Sequence, residues 1–402
     1  MKNQFFYTAI IGDKEYIASL NGNKVIRTLE NDEAGLIVIL DDFNERVTQQ
    51  PDIDIKTNKM KGFKSVRETV QSEITLNAED AKRFINLIVG VESYQDKATD
   101  NTDSSFFANN KKEVNYYNYS VFTQGLMKTR FVNFIVGARF DKHSEFKSAF
   151  VPRIGLTKKY NKFHFKTLYS QGFRSPSIDN INSADSAGIK PELTTVIEAE
   201  LGYQITRNSI LTANFYDITT HAPIIYYVSQ DSSNTDYYTN NGHAGSQGIE
   251  IEYRYKAKWG FINCNYSFYT VENKEKVAIY KANNAYSLLG FANRKVNLNA
   301  CWNITKALSF NTTATLYGQR FAVIAIDSLG NSVKGKLDPT LLLNFFMRYE
   351  TPIKGLTVGL GVYDALNQKF KFIQPYDGGH APLPGPSREI IFRVQYNLNF
   401  KK

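Results

Sequence analysis

The sequence contains no run of about 20 apolar residues, which is the length that a membrane-spanning helix needs. Among its 402 residues, 42% are apolar and 22% are charged. This balance excludes a disordered chain as well as a helical membrane protein. Only helices and closed barrels satisfy every backbone polar group in lipid, so a membrane-spanning form of this chain has to be a β-barrel.

Cysteine and tryptophan are scarce, with two residues of each. Cys264 and Cys301 are too few for a disulfide framework and lack zinc-site spacing. No Ser/His/Asp set, glycine-rich phosphate loop or metal cluster is apparent, so the sequence predicts neither an enzyme nor a cofactor. The net charge of +9 comes from lysines and arginines scattered along the chain, which argues against a nucleic-acid partner.

Aromatic residues are abundant, with 28 Phe and 25 Tyr, and they favour strands. Near the end of the chain apolar and hydrophilic residues alternate almost without a break. One side carries Ile390, Phe392, Val394, Tyr396, Leu398 and Phe400, and the other carries Ile391, Arg393, Gln395, Asn397 and Asn399. Similar runs occupy 248–256, 262–268, 295–302 and 356–362. A period of two residues predicts β-strands, each with one apolar face. The alternation also predicts that Cys264 points outward and Cys301 inward.

The connectors between the predicted strands alternate in length. Short turns follow 157–161, 204–208, 256–260, 303–307 and 351–355, whereas long polar connectors occupy 173–192, 220–243, 273–292, 319–338 and 371–386. Short periplasmic turns and long extracellular loops are typical of an outer-membrane barrel. The sequence therefore predicts an all-β, transmembrane antiparallel β-barrel with about 18 strands. A soluble β-sandwich that binds carbohydrate is the alternative, and several long connectors argue against it.

Several segments resemble the barrel of TonB-dependent outer-membrane receptors. They are GARFD (137–141), PRIGL (152–156), YSQGFRSPS (169–177), PELTTVIEAELGY (191–203), GSQGIEIE (245–252) and the closing aromatic strand. The resemblance implies a 22-stranded barrel filled by an N-terminal plug domain. It also implies import of a scarce ligand, such as a ferric siderophore, haem, cobalamin or an oligosaccharide, with energy delivered by TonB through an N-terminal box.

The domain expectation is a barrel over residues 1–402, incomplete at its N-terminus. No plug, TonB box or signal peptide is recognised, and about four strands of the family barrel are missing. The chain is thus expected to be a truncated or split gene product, or a fragment of a longer receptor. The expected function is TonB-energised uptake of a ferric siderophore or similar metal chelate. The alternative is a passive plugless pore or a structural, adhesive barrel.

Candidate ligand-binding residues lie in the predicted extracellular loops: Arg174, His221, Tyr226, Tyr227, Tyr237, Tyr238, His243 and His380. Paired tyrosines offer a flat, partly polar contact surface, although tyrosines also form the aromatic girdle of any barrel. Loop histidines, His143 among them, could ligate a metal chelate, or could be ordinary polar loop residues. Arg174, Arg294 and Arg320 could attract an anionic chelate, or could meet lipopolysaccharide phosphate or neighbouring acids.

The closing strand resembles the signal by which the outer-membrane assembly machinery recognises its clients, with Tyr396, Leu398 and Phe400 in the matching positions. The resemblance places the protein in the outer membrane of a Gram-negative bacterium. The expected partners are outer-membrane lipid and lipopolysaccharide, the TonB complex through the missing N-terminal part, and a small-molecule metal chelate.

Overall fold

The computed structural model describes residues 63–80, 83–100, 106–185, 187–227, 237–271, 286–328, 330–374 and 382–397. It also describes positions 274, 277 and 280–284, and the backbone of five short strands before residue 62. His380, Leu398 and Phe400 of the sequence predictions lie outside these residues.

Strands dominate the described chain. Their bounds are β1 Phe6–Ile11, β2 Lys14–Ser19, β3 Lys24–Leu29, β4 Asp52–Asp54, β5 Lys59–Lys61, β6 Phe63–Asp80, β7 Arg83–Asp100, β8 Glu113–Lys128, β9 Asn133–His143, β10 Ala149–Tyr160, β11 Phe163–Arg174, β12 Glu192–Thr206, β13 Ser209–His221, β14 Ile224–Tyr227, β15 Tyr237–Asn240, β16 His243–Ala257, β17 Gly260–Thr270, β18 Arg294–Asn303, β19 Leu308–Tyr317, β20 Arg320–Ile326, β21 Ser332–Leu337, β22 Thr340–Glu350, β23 Leu356–Tyr363, β24 Lys371–Phe372, β25 Leu383–Pro384 and β26 Glu389–Tyr396. A 3₁₀ turn spans Ala108–Asn110, and a five-residue helix, α1, spans Ile178–Asn182.

Fifteen strands form one antiparallel sheet in the order β26-β23-β22-β19-β18-β17-β16-β13-β12-β11-β10-β9-β8-β7-β6. Strands β1 to β3 form a separate small sheet, and β14/β15, β20/β21 and β24/β25 are hairpins within the long connectors. The all-β antiparallel fold and its alternation of short turns with long loops are as the sequence predicts. The total of about 18 strands stays a prediction. In the described part of the chain no helix is long and apolar enough to cross a membrane.

The chain divides into two units. Unit 1 comprises Met1–Lys158, Leu168–Thr195 and Thr220–Gly242, and unit 2 comprises Lys159–Thr167, Val196–Thr219 and His243–Lys402. In each unit tight turns join successive strands at one end of the sheet, and the connectors at the other end are mostly longer.

In unit 1 the strand register gives the sheet one apolar and one polar face. Val91 pairs with Val121, Val121 with Phe140, and Phe140 with Phe150. All four side chains are exposed, which is the state expected of a surface that meets lipid. The opposite face carries charged and hydrogen-bonding side chains: Arg67, Glu92, Asp96, Asn118, Ser120, Arg139 and Asp141.

In unit 2 the same separation holds. Phe345 pairs with Val362, which pairs with Ile390 of β26. The polar face carries rows of hydrogen-bonded amides and hydroxyls. Asn297 donates to Asn265 at 2.8 Å, Thr315 donates to Asn297 at 3.1 Å, Asn311 donates to Asn299 at 3.2 Å and Asn344 donates to Thr313 at 3.0 Å. Cross-strand pairs of this kind stabilise a sheet and fix its register.

The two cysteines lie on opposite faces of the unit 2 sheet. Cys264 pairs with Leu298 and Cys301 pairs with Phe261, and positions 261 and 264 of one strand point to opposite sides. Both cysteines are free thiols. The sequence prediction of their opposite orientation is therefore confirmed.

Candidate functional site

Four of the predicted site tyrosines come together on one hairpin of unit 1. β14 and β15 pair so that Tyr226 faces Tyr238 and Tyr227 faces Tyr237. The ring centroids are 5.1 Å apart in each pair. Tyr226 and Tyr227 are nearly half exposed, while the neighbouring Ile225 is buried and holds the hairpin down. Because successive side chains of a strand point to opposite sides, each face of the hairpin carries one pair of phenol rings at the long-loop end. Aromatic side chains of this kind suit planar or amphipathic ligands.

Arg174 lies at the base of this hairpin, where it is held by an ion pair. Its Nε donates to Glu192 Oε2 at 2.8 Å and its Nη2 donates to Glu192 Oε1 at 2.5 Å. Glu192 Oε1 also accepts the backbone N–H of Ile224 at 2.5 Å, and Arg174 Nη2 reaches the carbonyl of Ile224 at 3.4 Å. The sequence left three possible partners for Arg174: an anionic chelate, lipopolysaccharide phosphate or a neighbouring acid. The neighbouring acid is the contact that the structure contains.

The connector between β11 and β12 is attached to the same hairpin. The N–H of Tyr238 donates to the carbonyl of Ser183 at 2.7 Å, and the N–H of Asp185 donates to the carbonyl of Tyr238 at 3.0 Å. Burial raises the pKa of the Tyr238 hydroxyl to about 12, and its hydrogen bond to Asp179 of α1 acts in the same direction. Two long connectors of unit 1 therefore form one hydrogen-bonded structure.

Of the four histidines that the sequence places in loops, the three within the described residues lie at the ends of strands. His143, His221 and His243 are the last or first residues of β9, β13 and β16. His221 is exposed and His243 half-buried. His143 is buried on the polar face of unit 1, stacked on Phe146 with ring centroids 3.9 Å apart. The loop position of His143 is thus wrong, because its strand continues to that residue and a neighbouring aromatic ring covers it.

His164 lies on β11, and its Nε2 is 3.0 Å from Glu200 Oε1 within unit 2. The described residues contain no group of three or more His, Cys, Asp or Glu side chains that could hold a metal ion. Within the described residues, the structure therefore gives no support to the hypothesis that loop histidines together bind a metal chelate.

Arg294 and Arg320 belong to unit 2, where Arg294 is the first residue of β18. Arg320 is 5% exposed, and its guanidinium lies 4.5 Å from the centroid of the Phe370 ring and 5.4 Å from that of Tyr317. Desolvation lowers its pKa. The guanidinium donates to the carbonyl of Lys371 at 3.2 Å, so it anchors the connector after β23 rather than reaching into solvent.

A partly buried charge network on the polar face of unit 1 has no counterpart among the sequence predictions. Arg139 donates to Glu92 at 2.8 Å and to Asp141 at 2.8 Å, and Ser120 donates to the same Asp141 at 2.5 Å. A second pair joins Arg67 to Asp96 through two bonds of 2.6 Å. The sequence shows acidic and basic residues at alternate positions of the predicted strands, and this pattern could have indicated a charged face. Only the cross-strand register shows which of these charges form pairs.

Comparison with known proteins identifies the family. The family model described as TonB dependent receptor-like, beta-barrel matches residues 19–365. The chain therefore belongs to the TonB-dependent receptor β-barrel family, and the resemblance noted in the sequence is confirmed. The members of this family are receptors and transporters rather than enzymes. No curated protein matches the chain by sequence.

Solved structures with this fold include the siderophore receptor PirA from Acinetobacter baumannii, with a TM-score of 0.66 and 15% identity over 86% of this chain and 57% of that one. A variant of the ferric enterobactin receptor PfeA from Pseudomonas aeruginosa in complex with enterobactin gives 0.67 and 16%, over 85% and 56%. The FrpB iron transporter from Neisseria meningitidis gives 0.62 and 13%, over 83% and 55%. The similarity concerns the fold, and the chain spans little more than half the length of these structures.

Proposed function

We propose that this chain forms the barrel of an outer-membrane receptor that takes up a scarce ligand with energy from TonB, and that the ligand is a ferric siderophore or a similar metal chelate. The observation that carries the proposal is the tyrosine hairpin, which presents one pair of tilted phenol rings on each face at the long-loop end of a member of this family. Paired phenol rings offer apolar contact area with polar edges, which matches an aromatic, catecholate-type chelate.

The polar face of each unit supports the receptor proposal. In a barrel whose apolar face meets lipid, the opposite face lines the lumen, and here it consists of hydrogen-bonded amides and paired charges. Such a wall stays wetted and suits the passage of a hydrophilic solute. The long connectors then face the cell exterior and the short turns the periplasm, so the hairpin meets ligand first.

The partners of the proposed receptor are lipid on the apolar face, lipopolysaccharide at the long-loop end, and the TonB complex. Solved receptors of this fold include siderophore receptors and a complex with enterobactin. These similar structures support a ferric siderophore or similar chelate as the ligand more strongly than they support haem or cobalamin, which are the other candidate ligands.

The proposal is tested by deleting the gene in the bacterium that carries it and measuring uptake of radioactive iron from ferric enterobactin under iron limitation. We expect uptake to fall several-fold, to return with the restored gene, and to stop when a protonophore removes the energy source. An unchanged rate in the deletion strain would exclude this chelate.

The same experiment separates the receptor from a passive pore. Gene-dependent uptake that persists after the protonophore would favour diffusion through an open barrel. A deletion strain that adheres less to surfaces, with unaltered iron uptake, would instead favour the structural, adhesive barrel.

A further inference from the structure

The connector that follows β11 packs against the polar face of the unit 1 sheet and does not extend freely from the long-loop end. In a barrel this face is the wall of the lumen. We call residues 175–185, which include α1, the strap. Ser177 caps α1: its hydroxyl accepts the N–H of Asn180 at 3.2 Å, and the side chain of Asn180 accepts the N–H of Ser177 at 3.0 Å. A helix of five residues is too short to be stable alone, so contacts with the rest of unit 1 have to hold it in place.

These contacts are largely apolar. Ile178 of the strap is buried in a cluster with Phe63, Ala98, Phe107, Val114 and Tyr116, and Ile181 packs against the same cluster. Of these, Phe63, Ala98, Val114 and Tyr116 belong to β6, β7 and β8. The cluster gives the strap an apolar anchor, whose burial is the main force available for docking a short segment.

The strap lies on the polar face of the sheet. Ala98 and Tyr116 alternate along β7 and β8 with exposed residues such as Tyr117 and Val121, which belong to the apolar face. Side chains of adjacent positions in a strand point to opposite sides. The anchor is therefore an apolar patch on the face that lines the lumen, where lipid cannot cover it, and the strap covers it instead.

Polar contacts fix the orientation of the strap. Asn182 donates to the hydroxyl of Tyr116 at 2.9 Å and accepts the N–H of Ala108 at 3.2 Å. The backbone of Ser183 and Asp185 pairs with Tyr238 of the β14/β15 hairpin, with Ala184 and Tyr238 as bridge partners. The strap thus has an apolar anchor on the wall and a hydrogen-bonded attachment to the hairpin.

We propose that the strap is a lid built into the barrel, docked on the lumen wall in the resting protein and controlling access to that wall from the long-loop end. A solute that moves along the polar face of unit 1 at this end reaches the wall beneath the strap only when Ile178 leaves its cluster. The proposal concerns the resting state of the barrel and is independent of which ligand the protein takes up.

The test measures whether the wall beneath the strap is shielded from water. In a background with Cys264→Ala and Cys301→Ala, Val114→Cys places one thiol in the anchor cluster, where Val114 is 5% exposed. Ala187→Cys places a thiol at an exposed position just after the strap. Intact cells are treated with a membrane-impermeant maleimide. We expect the thiol at position 114 to react at least tenfold more slowly than the thiol at position 187.

Releasing the anchor should remove the protection. Ile178→Asp puts a carboxylate into the apolar cluster, and Ala187→Asp puts the same charge at the exposed position as a matched control. With Val114→Cys, we expect Ile178→Asp to raise the labelling rate about tenfold and Ala187→Asp to leave it unchanged.

Two results would overturn the proposal. Equal labelling rates at positions 114 and 187 in the otherwise unaltered strap would mean that the strap is not docked. Slow labelling that persists in a folded Ile178→Asp variant would mean that something other than the strap covers the wall. Heat-dependent mobility in detergent gels reports whether that variant is folded, and if it is not, the comparison of positions 114 and 187 decides alone.

Discussion

Glu192 holds the guanidinium of Arg174 in a two-point ion pair, and the same carboxylate accepts the N–H of Ile224, the first residue of the tyrosine hairpin. Arginine and carboxylate match each other's geometry, so a pair of this kind adds orientation as well as energy. Because Ile224 is buried, its N–H has little access to water if Glu192 is removed. The pair therefore positions the hairpin.

Replacing Glu192 should loosen the hairpin. Glu192→Ala removes the acceptor of the Ile224 N–H and the carboxylate that pairs with Arg174, and a buried donor without a partner costs about 1–3 kcal/mol. We expect an external protease to cleave the 220–243 connector of intact cells several-fold faster. Glu145→Ala, at an exposed carboxylate of the same end, is the control and should leave the rate unchanged. Equal cleavage in both variants would show that the ion pair does not hold the hairpin.

The paired tyrosines of the hairpin should contribute to ligand binding. Tyr226→Ala removes one half-exposed ring, and the contact of such a ring with an aromatic ligand contributes about 0.5–1.5 kcal/mol beyond area burial. We expect the Kd for ferric enterobactin, measured by fluorescence quenching of the purified protein, to rise about three- to tenfold. Tyr119→Ala removes an exposed tyrosine of the apolar face and should have no effect. If both substitutions change the Kd by the same factor, the hairpin is not part of the binding site.

The attachment of the hairpin to α1 should depend on pH through Tyr238. Its pKa is raised from 10.0 to about 12, so the fold favours the neutral phenol. The stabilisation is fully present below about pH 10 and is lost as the pH rises toward 12. We expect cleavage of the 220–243 connector to increase over that interval in the native protein. The Tyr238→Phe variant lacks the hydrogen bond to Asp179, so its connector should be cleaved faster than that of the native protein below pH 10. Because phenylalanine cannot ionise, the cleavage rate of this variant should change less over the same interval. A native protein with a flat profile would contradict the prediction.

The charge network around Arg139 should be sensitive to the loss of one partner. Arg139→Met leaves Glu92 and Asp141, both largely buried, without their cation. Breaking a fully buried pair costs about 3–5 kcal/mol, because an uncompensated charge remains. Arg139 is 30% exposed, so we expect a smaller loss of about 1–3 kcal/mol here. Urea unfolding in lipid vesicles measures this loss, and Arg130→Met, at an exposed arginine near a short turn, is the control. A loss below about 1 kcal/mol in Arg139→Met would mean that water screens the network.

These cases show which parts of the molecule the sequence could predict. Alternation within one strand is a local pattern, so the faces of 248–256 or 356–362 and the short turns between strands are visible in the sequence. The network of Arg139 joins residues 47 positions apart, and only the register of β7, β8 and β9 brings Glu92 beside it. The sequence identified the four tyrosines of the hairpin as candidates. It could not show which tyrosine faces which, because that depends on the register of the hairpin, and polar loop sequences do not specify a register.

The closing strand gives the sharpest test of which face meets lipid. Val394 pairs with Val358 on the apolar face and is 58% exposed, whereas Gln395 points the other way and donates to Asn397 at 3.2 Å. Val394→Arg places a charge among lipid chains, which costs about 2–4 kcal/mol near the middle of the bilayer. Gln395→Arg puts the same group on the hydrated side and should cost well under 1 kcal/mol, as a surface substitution does. Heat-dependent gel mobility and urea unfolding measure both variants, and equal assembly of the two would mean that the faces are assigned the wrong way round or that this strand does not contact lipid.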